Sequence, residues 1–458
     1  MNVNRLAFAY GLYFPVLYAR GEPVWRYLKS LEVTQWAPVK DIATLQERKL
    51  VKLLDSARMN VPFYRERIQS SGQSLDTLPF LQKADLQAFP DALLHRSWKA
   101  RHTLKTTGGS TGQAVTVRKS REATAQETAA NWRGFGWAGV RIGDKQGRFW
   151  GVPFKSRDRL RARITDLIAH RRRCSAFAFS AADLDRYTRM LNRFKPTYLY
   201  GYVSMLEQYA RYVVENRVRP TFKPVAIITT AEVLASTTRQ LLQETFGCPV
   251  FNEYGCGELG TIAHECEAGA LHLNAENLLI EIVKGDRHCA PGEVGEIVAT
   301  ELNNLAMPLI RYRLGDFGTL AAHPCRCGRT LPVLHSIAGR GYDMVYDRQG
   351  RMFHGEYFMY MFEEVKRMGL GVKAFQVIQD SFDDFTIRVV PGDGYSERTR
   401  EIVRTRFREG YGPNARVSFV EVPGIARRPS GKMQVIVGLP QATPASNRDR
   451  TNVDECID

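Results

Sequence analysis

The run KPTYLYGY (Lys195–Tyr202) opens a stretch in which strand-like and helix-like patterns alternate. It is followed by SMLEQYARYVVENR (Ser204–Arg217), KPVAIITT (Lys223–Thr230), ASTTRQLLQETFG (Ala235–Gly247) and PVFNEYG (Pro249–Gly255). Short apolar runs that alternate with longer helical patterns are typical of layered α/β folds. The stretch therefore predicts the α/β fold class.

Outward from this stretch, the pattern changes near residue 339. The chain of 458 residues is too long for one ordinary core. Beyond the GRGYD motif, a hairpin, a helix, two strands, a second helix and a final strand follow in a compact α+β order. We predict a large N-terminal domain of layered sheets and helices over 1–338, a hinge over 339–343, a small C-terminal domain over 344–440 and a polar tail over 441–458.

The composition is that of a globular protein, with 44% hydrophobic and 24% charged residues. This excludes fibrous and disordered classes. The eight cysteines are scattered through a long chain, whereas disulfide frameworks belong to short, cysteine-dense secreted chains. We therefore predict a cytoplasmic, reducing location.

Positive charge is concentrated in Arg141–Arg173, within a chain of net charge +16. Such a segment is either a solvated basic helix or a dock for a polyanion, such as a phosphorylated carrier, an acidic glycan or an anionic membrane. No helix-turn-helix, zinc-finger pair or aromatic RNA-binding signature accompanies it, so specific nucleic-acid binding is not predicted.

An apolar run, Leu6–Ala19, lies near the N-terminus and contains a glycine and a proline. It is too short to span a membrane, and no small-residue cleavage site follows it. We predict a helix packed on the protein, with peripheral membrane contact as the alternative.

The motif TTGGSTG, at 106–112, combines three glycines with four hydroxyl residues. Glycines allow the backbone to approach phosphate oxygens and to point N–H groups at them, and hydroxyls add donors. The motif is not a Walker sequence, because no Gly-Lys-Ser/Thr closes it. Taken alone, it is either a plain surface loop or a phosphate-binding loop.

Four later motifs favour the phosphate-binding interpretation. NEYGCGE offers the aromatic ring of Tyr254 and the carboxylate of Glu258, and RYRLGD ends in Asp316. GRGYD places the cation Arg340 at the domain junction, and RRPSGKM places Lys432 near the C-terminus. Any one of these motifs is compatible with a structural turn, but the five in this order indicate a nucleotide site.

With these motifs, the chain resembles the adenylate-forming superfamily: acyl-CoA synthetases, luciferase and adenylation domains of peptide synthetases. Its WRYLKSLEVTQW, LVKLLDSARMNVPFYRERI and TTGGSTG segments are most similar to the phenylacetate–CoA ligase branch, and within it to members associated with capsular and exopolysaccharide biosynthesis. The resemblance runs from about residue 25 to 440 and implies a small, mobile C-terminal domain.

The resemblance implies a role for each motif in binding ATP. Glu232 and Tyr254 line the adenine pocket, Asp316 holds the ribose hydroxyls, and Arg340 contacts ribose or phosphate. The β- and γ-phosphates are held by the glycine loop, which consists of Thr106, Thr107, Gly108, Gly109, Ser110, Thr111 and Gly112.

The resemblance also implies the reaction, in which a carboxylate attacks the α-phosphate of ATP and pyrophosphate leaves. Two anions must approach each other, so Lys432 and a magnesium ion bound by Glu258 would offset their repulsion. Lys432, Glu258 and Arg340 are the expected catalytic residues. The C-terminal domain then rotates so that CoA, the default acceptor, or a sugar amine, sugar hydroxyl or amino acid takes the acyl group.

Two positions depart from the family pattern. Gln113 follows the glycine loop where many relatives have a lysine, and Tyr342 occupies the hinge where relatives usually carry Asp or Lys. The uncharged Gln113 affects how strongly the loop is expected to bind phosphate. Tyr342 affects whether the C-terminal domain is expected to rotate as in CoA ligases.

A second constellation consists of Cys266, His272, Cys325 and Cys327. Two pairs of soft ligands, C-x₅-H and C-x-C, are suited to a tetrahedral structural zinc, and relatives carry similar pairs. His264 and His323 are substitute ligands, and the alternative is four reduced side chains without metal.

Other functions are less well supported by the sequence. The GYVSM segment lacks the G-x-S-x-G elbow of a hydrolase. The stretch Tyr198–Ala210 either lines an acyl pocket or forms an ordinary strand–helix core. A non-catalytic nucleotide-binding scaffold in a glycan assembly complex is the alternative to a ligase.

Overall fold

The structure, a computed structural model, forms two compact units. The described residues up to 338 belong to the larger unit, and those from 345 onward belong to the smaller one. The structure describes residues 3–71, 73–98, 102–106, 115–151, 156–175, 180–232, 234, 236–338, 345–348, 352–353, 357–358, 361–362, 364–365, 368–425 and 435–439.

Helices of the larger unit begin where the sequence offers start signals. Ser120 caps the helix that follows it through a bond from the amide of Ala123, and Ser180 and Asp183 form a capping box. The helices are α1 Val3–Phe8, α2 Phe14–Ala19, α3 Val24–Thr34, α4 Val39–Asn60, α5 Pro62–Arg65, α6 Lys83–Ala88, α7 Arg121–Trp137, α8 Ser156–Ile168, α9 Ala181–Phe194, α10 Val203–Glu215 and α11 Ser236–Phe246.

The strands of the larger unit form a hairpin and one long sheet. They are β1 His102–Thr106, β2 Thr116–Ser120, β3 Gln146–Trp150, β4 Arg171–Ser175, β5 Tyr198–Tyr202, β6 Ala226–Thr230, β7 Val250–Cys256, β8 Gly260–Glu265, β9 Leu271–Leu273, β10 Leu278–Lys284, β11 Arg287–His288, β12 Gly295–Glu301, β13 Tyr312–Leu320 and β14 Val333–Ala338. Within the described residues the sheet order is β11-β10-β12-β13-β14-β9-β8-β7-β6-β5-β3-β4.

The sheet has a parallel half and an antiparallel half. Strands β4, β3, β5, β6 and β7 run parallel, and every residue of β5 and β6 is buried. Strands buried along their whole length are expected in parallel sheets, because crossover helices such as α10 and α11 cover the faces. From β8 onward the pairing is antiparallel. The antiparallel pairing of this half is expected, because consecutive strands joined by short turns pair antiparallel.

Strands β1 and β2 pair with each other as an antiparallel hairpin, from His102 opposite Ser120 to Thr106 opposite Thr116. The glycine loop is the connection between these two strands. Its residues 107–112 lie outside the described residues, and Thr106 ends β1.

The apolar N-terminal run is helical. A π-helical turn, Ala9–Tyr13, joins α1 to α2. Tyr13 and Leu17 are buried against Ala125 and Ala129 of α7, and the Trp132 indole donates a hydrogen bond to the Tyr13 hydroxyl at 2.8 Å. Among the described residues, no helix combines the length and the hydropathy that a bilayer crossing requires.

The smaller unit is an α+β module. Its elements are β15 Val345–Tyr346, β16 Met352–Phe353, β17 Val372–Gln379, β18 Asp384–Pro391, α12 Glu397–Gly410, β19 Arg416–Glu421 and β20 Ile436–Val437. The sheet has the order β19-β18-β17-β20, and α12 packs Phe407 on Phe385 of β18. Together, the two units confirm the predicted fold class; the hinge predicted over 339–343 lies outside the described residues.

Candidate nucleotide and metal sites

Two tyrosine–carboxylate pairs bring the NEYGCGE and RYRLGD motifs together. The Tyr254 hydroxyl on β7 donates to Oδ2 of Asp316 on β13 at 3.0 Å. The Tyr312 hydroxyl on β13 donates to Oε1 of Glu258, in the β7–β8 turn, at 3.1 Å. Both carboxylates are buried. Each motif therefore holds the acidic residue of the other in a fixed position.

A buried network of two lysines and two glutamates anchors the hairpin that carries the glycine loop. Lys119 of β2 is fully buried, and its Nζ lies 2.8 Å from Oε2 of Glu127 and 2.8 Å from Oε1 of Glu301. Lys105 of β1 also pairs with Glu127. A buried lysine is stable only when it is paired and hydrogen-bonded, so this network fixes the base of the hairpin on α7 and β12.

The same lysine reaches the turn that contains Glu258. Lys119 donates a hydrogen bond to the carbonyl oxygen of Leu259 at 2.7 Å. Gly260 follows with φ of +82°, and a Cβ there would lie 2.1 Å from Oε1 of Glu127. Glycine is required at this point because of both the left-handed backbone and the close carboxylate. The base of the glycine loop and the Glu258 turn thus share their contacts.

We expect Glu127→Gln to lower the free energy of unfolding by about 3 kcal/mol, because it leaves two buried lysines without their shared charge. Burial would raise the pKa of Glu127, but Lys105 and Lys119 hold it at about 2, below its usual 4.5. The stabilisation is therefore complete above about pH 4.5 and is lost as the pH falls from there through 2.

Urea unfolding at several pH values measures this effect, with Glu122→Gln as the control on the same helix. Glu122 is exposed and bonds only the Tyr27 hydroxyl among the contacts described, so its loss should cost under about 1 kcal/mol. Equal losses in the two variants at neutral pH would contradict the role of the network.

The four predicted zinc ligands converge. The ligand atoms of Cys266, His272, Cys325 and Cys327 all lie within 4.8 Å of one another. The two sulfur atoms of Cys266 and Cys325 are 3.7 Å apart, close to the ~3.8 Å that a tetrahedral Zn–S geometry requires. Cys327 Sγ lies 3.2 Å from Nε2 of His272. These residues come from the ends of β8 and β9 and the connection from β13 to β14.

The surroundings of these residues also fit a metal. His272 Nδ1 lies 2.9 Å from the carbonyl oxygen of Leu331, so Nδ1 carries the proton and Nε2 directs its lone pair toward the thiols. Burial would raise the pKa of Cys327, but hydrogen bonds from Arg329 hold it below its usual value. A ready thiolate and an oriented imidazole are what a zinc ion needs.

The substitute ligands lie elsewhere. His264 is buried against the rings of Phe135 and Trp137, and burial together with Arg133 lowers its pKa to about 3. His323 is exposed. Neither histidine belongs to the converging group.

The comparisons with known proteins agree with these motifs. Residues 346–438 match the CapK C-terminal domain family. Protein CapK of Staphylococcus aureus is 23% identical over 427 residues, which cover 90% of this chain and 93% of that protein. A phenylacetate-coenzyme A ligase of Thermus thermophilus is 26% identical over 334 residues, or 67% of this chain and 72% of that protein.

A solved structure of 2-hydroxyisobutyryl-CoA ligase in the postadenylation state is similar across both units. It covers 88% of this chain and 90% of its own, with a TM-score of 0.57 at 20% identity. The chain therefore has the fold of this ligase. In sequence it is similar to protein CapK and to phenylacetate-coenzyme A ligases.

The structure describes only some of the residues expected to form the site. Tyr254, Glu258 and Asp316 lie together as described above. Glu232 follows β6, next to Ala231, whose φ of +71° is rare for a residue with a side chain and is a kind of strain found at functional sites. Arg340, Lys432, Gln113, Tyr342 and residues 107–112 of the glycine loop lie outside the described residues.

Sequence reasoning missed two charged residues of the parallel strands. Arg148 is the middle residue of β3, and Glu253 of β7 pairs in register with Thr230, the last residue of β6. Ligands of open α/β sheets bind beyond the carboxyl ends of the strands. That rule, applied to the predicted strand Pro249–Gly255, would have identified Glu253, whereas no strand was predicted over Arg148.

Proposed function

We propose that this protein is an ATP-dependent carboxylate ligase that forms an acyl-adenylate, releases pyrophosphate and transfers the acyl group to CoA or another nucleophile. The observation that carries the proposal is the joining of the two acidic motifs through Tyr254–Asp316 and Tyr312–Glu258. It is supported by the anchoring of the glycine-loop hairpin on the carbonyl of Leu259 beside them.

The chemistry follows from the residue types. A carboxylate oxygen of the acid attacks the α-phosphorus, the bond from that phosphorus to the bridging oxygen breaks, and pyrophosphate leaves. Asp316 holds the ribose, and the backbone amides and hydroxyls of the glycine loop hold the departing phosphates. In this proposal Lys432 would reach both the carboxylate and the α-phosphate, and Arg340 would contact ribose or phosphate. These two cations stabilise the charge that builds up in the transition state.

We assign the magnesium ion to Glu258. Carboxylate oxygens are preferred ligands of Mg²⁺. Oε1 of Glu258 accepts from Tyr312, and Oε2 makes no hydrogen bond within the described part of the chain. When bound, the ion offsets the negative charge of the phosphates.

We further assign CoA as the acyl acceptor, because the relatives include two phenylacetate-coenzyme A ligases. A sugar or amine acceptor in polysaccharide biosynthesis is the alternative, and the similarity to protein CapK supports it. The reaction would take place in the cytoplasm. The four converging cysteine and histidine ligands hold a structural zinc in this proposal.

ATP–pyrophosphate exchange with a panel of aryl, hydroxy and amino acids tests the function. At least one acid should stimulate exchange. If ATP binds but no acid stimulates exchange, the protein is a non-catalytic nucleotide-binding scaffold.

A further inference from the structure

A cluster of polar and aromatic side chains lies on one face of the parallel strands, near their carboxyl ends. Arg148 and Trp150 of β3 lie beside Tyr200 of β5, and Tyr200 is hydrogen-bonded to Glu253 of β7 at 3.2 Å. Arg148 pairs in register with Tyr200. Since side chains alternate between faces along a strand, Arg148 and Trp150 share a face.

The Arg148 guanidinium has aromatic neighbours but no acid in contact. Its centre lies 4.4 Å from the Trp150 ring and 5.2 Å from the Tyr200 ring. Its buried Nε has no hydrogen-bond partner, and none of the described residues forms an ion pair with it. Burial lowers the pKa of Arg148 to about 10. A buried guanidinium nitrogen without a partner is costly, so the Nε of Arg148, which has no partner among the described residues, is suited to a bound ligand that accepts a hydrogen bond.

Glu253 lacks a hydrogen-bond donor at one of its two carboxylate oxygens. Its Oε1 accepts hydrogen bonds from the hydroxyls of Tyr200, Thr230 and Thr261 at 3.1–3.3 Å. Its Oε2 is buried and has no partner among the described residues. Burial raises the pKa of Glu253 to about 7. One carboxylate oxygen is thus fixed by three donors, and the other lacks a donor.

The cluster lies where an acid substrate is expected. It is at the ligand-binding edge of the sheet, Tyr200 belongs to the stretch expected to line an acyl pocket, and Glu253 directly precedes Tyr254 in the chain. Perturbed titratable groups at such an edge are typical of functional sites.

We propose that this cluster binds a hydroxyl group of the substrate, so that the acid activated by this protein is a hydroxylated carboxylic acid. The inference rests on the proposed function. A hydroxyl group has the chemistry that both residues need, because it donates a hydrogen bond, as Oε2 of Glu253 requires, and accepts one, as Nε of Arg148 requires. An acid whose other groups are all apolar would leave Arg148 and Glu253 without these hydrogen bonds. Sites that bind a substrate hydroxyl through hydrogen bonds discriminate strongly against the analogue without the hydroxyl.

Exchange rates with matched acids test the inference. The pairs are 4-hydroxyphenylacetate with phenylacetate and 3-hydroxybutyrate with butyrate. The wild type should favour the hydroxylated member of at least one pair by more than about tenfold in kcat/KM. Arg148→Met and Glu253→Gln should each bring the ratio close to one. Arg189→Met, an exposed arginine of α9, should keep it.

Each contrary result has its own meaning. A wild type that prefers the unsubstituted acids, or a ratio that neither variant changes, overturns the hydroxyl site and leaves the proposed function intact. No exchange with any acid overturns both. If Arg148→Met does not fold, as judged by circular dichroism, Glu253→Gln carries the test, because the amide keeps the shape of the carboxylate.

A separate surface of the larger unit combines exposed apolar rings with positive charge. Helices α1 and α2 and the turn between them carry no charged residue from Leu6 to Ala19. The Tyr10 and Tyr18 side chains are 53% and 77% exposed. The Tyr10 ring lies 5.8 Å from Trp25, which is also exposed. Tyrosine and tryptophan prefer the membrane–water interface.

Helix α8 continues this surface. Its Leu160, Ile164 and Leu167, at helical spacing, are 60%, 51% and 60% exposed. Phe8 of α1 stacks on His170, two residues beyond α8, with ring centroids 4.1 Å apart. The helix sequence SRDRLRARITDLI is rich in arginine. An apolar surface on an arginine-rich helix is complementary to anionic lipid, because rings and alkyl chains enter the interface while cations meet the headgroups.

We propose that this surface docks on an anionic membrane. Co-sedimentation with vesicles of phosphatidylcholine and phosphatidylglycerol, in a two-to-one mixture, should exceed that with phosphatidylcholine alone. Tyr10→Ser with Tyr18→Ser, and Leu160→Ser with Ile164→Ser, should each weaken binding by more than about tenfold. Val51→Ser with Met59→Ser, exposed apolar positions of α4, should not. Absent binding, or binding that these variants leave unchanged, would overturn the membrane assignment; unchanged binding would identify a simple polyanion site.

Discussion

Lys432→Ala should lower ATP–pyrophosphate exchange by about 10²–10³-fold, the usual cost of removing one positioned charge that stabilises a transition state. Binding of ATP should persist, because Asp316 and the glycine loop are the residues that we propose hold the ribose and the departing phosphates. The hydrogen bond from Tyr254 to Asp316 joins β7 to β13 without Lys432, so we expect it to remain in the variant.

Exchange measured with the best acid of the panel gives the rate, and ATP titration by calorimetry gives the affinity. Lys373→Ala, an exposed lysine of β17, is the matched control and should behave as the wild type. Unchanged exchange in Lys432→Ala would exclude this residue from the reaction. Loss of both exchange and ATP binding would assign it to nucleotide binding instead.

Metal removal should have the second large effect. The purified protein should hold one zinc ion, and Cys325→Ser should lose it together with more than about 4 kcal/mol of stability, at the upper end for a single substitution. The reason is that a bound ion would join the end of β8 and His272 of β9 to the connection before β14. Chelation of the wild type should lower its melting temperature in the same direction.

Elemental analysis and thermal unfolding provide the measurements. Cys289→Ser, a half-buried cysteine away from the ligand group, should keep both metal and stability. Less than about half an equivalent of zinc in the wild type, with Cys325→Ser as stable as the control, would show that the four side chains are reduced ligands without a resident ion.

Much of the fold was predictable from local pattern. The strands β5, β6 and β7 are short apolar runs between helical patterns, and the strands of the smaller unit follow their sequence patterns in the predicted order. Glu258 and Asp316 were identified through their motifs. Their hydrogen bonds to tyrosines were not predicted, because the contact of Tyr312 with Glu258 depends on how β13 and the β7–β8 turn approach each other in space.

The buried charges were the least predictable part. Lys119 lies in TVRKS, a run that alternates like an exposed edge strand, and it is buried only because Glu127 and Glu301 arrive from α7 and β12. Arg148 and Glu253 likewise stand in strands that also contain large apolar residues, such as Phe149 and Phe251. Burial of a charge depends on long-range partners, and one sequence does not specify where those partners lie.

The position of Lys119 affects how this protein would lose affinity for a nucleotide. One side chain connects the β1–β2 hairpin to the carbonyl next to Glu258, so the hairpin and the Glu258 turn share a single unit of local stability. These are the parts of the chain that we propose bind phosphate and magnesium. A fluctuation that frees the hairpin also releases the Glu258 turn and exposes a buried ion pair. We therefore expect a substitution of Glu127 on α7 to weaken nucleotide binding, although Glu127 is expected to contact neither ATP nor the acid.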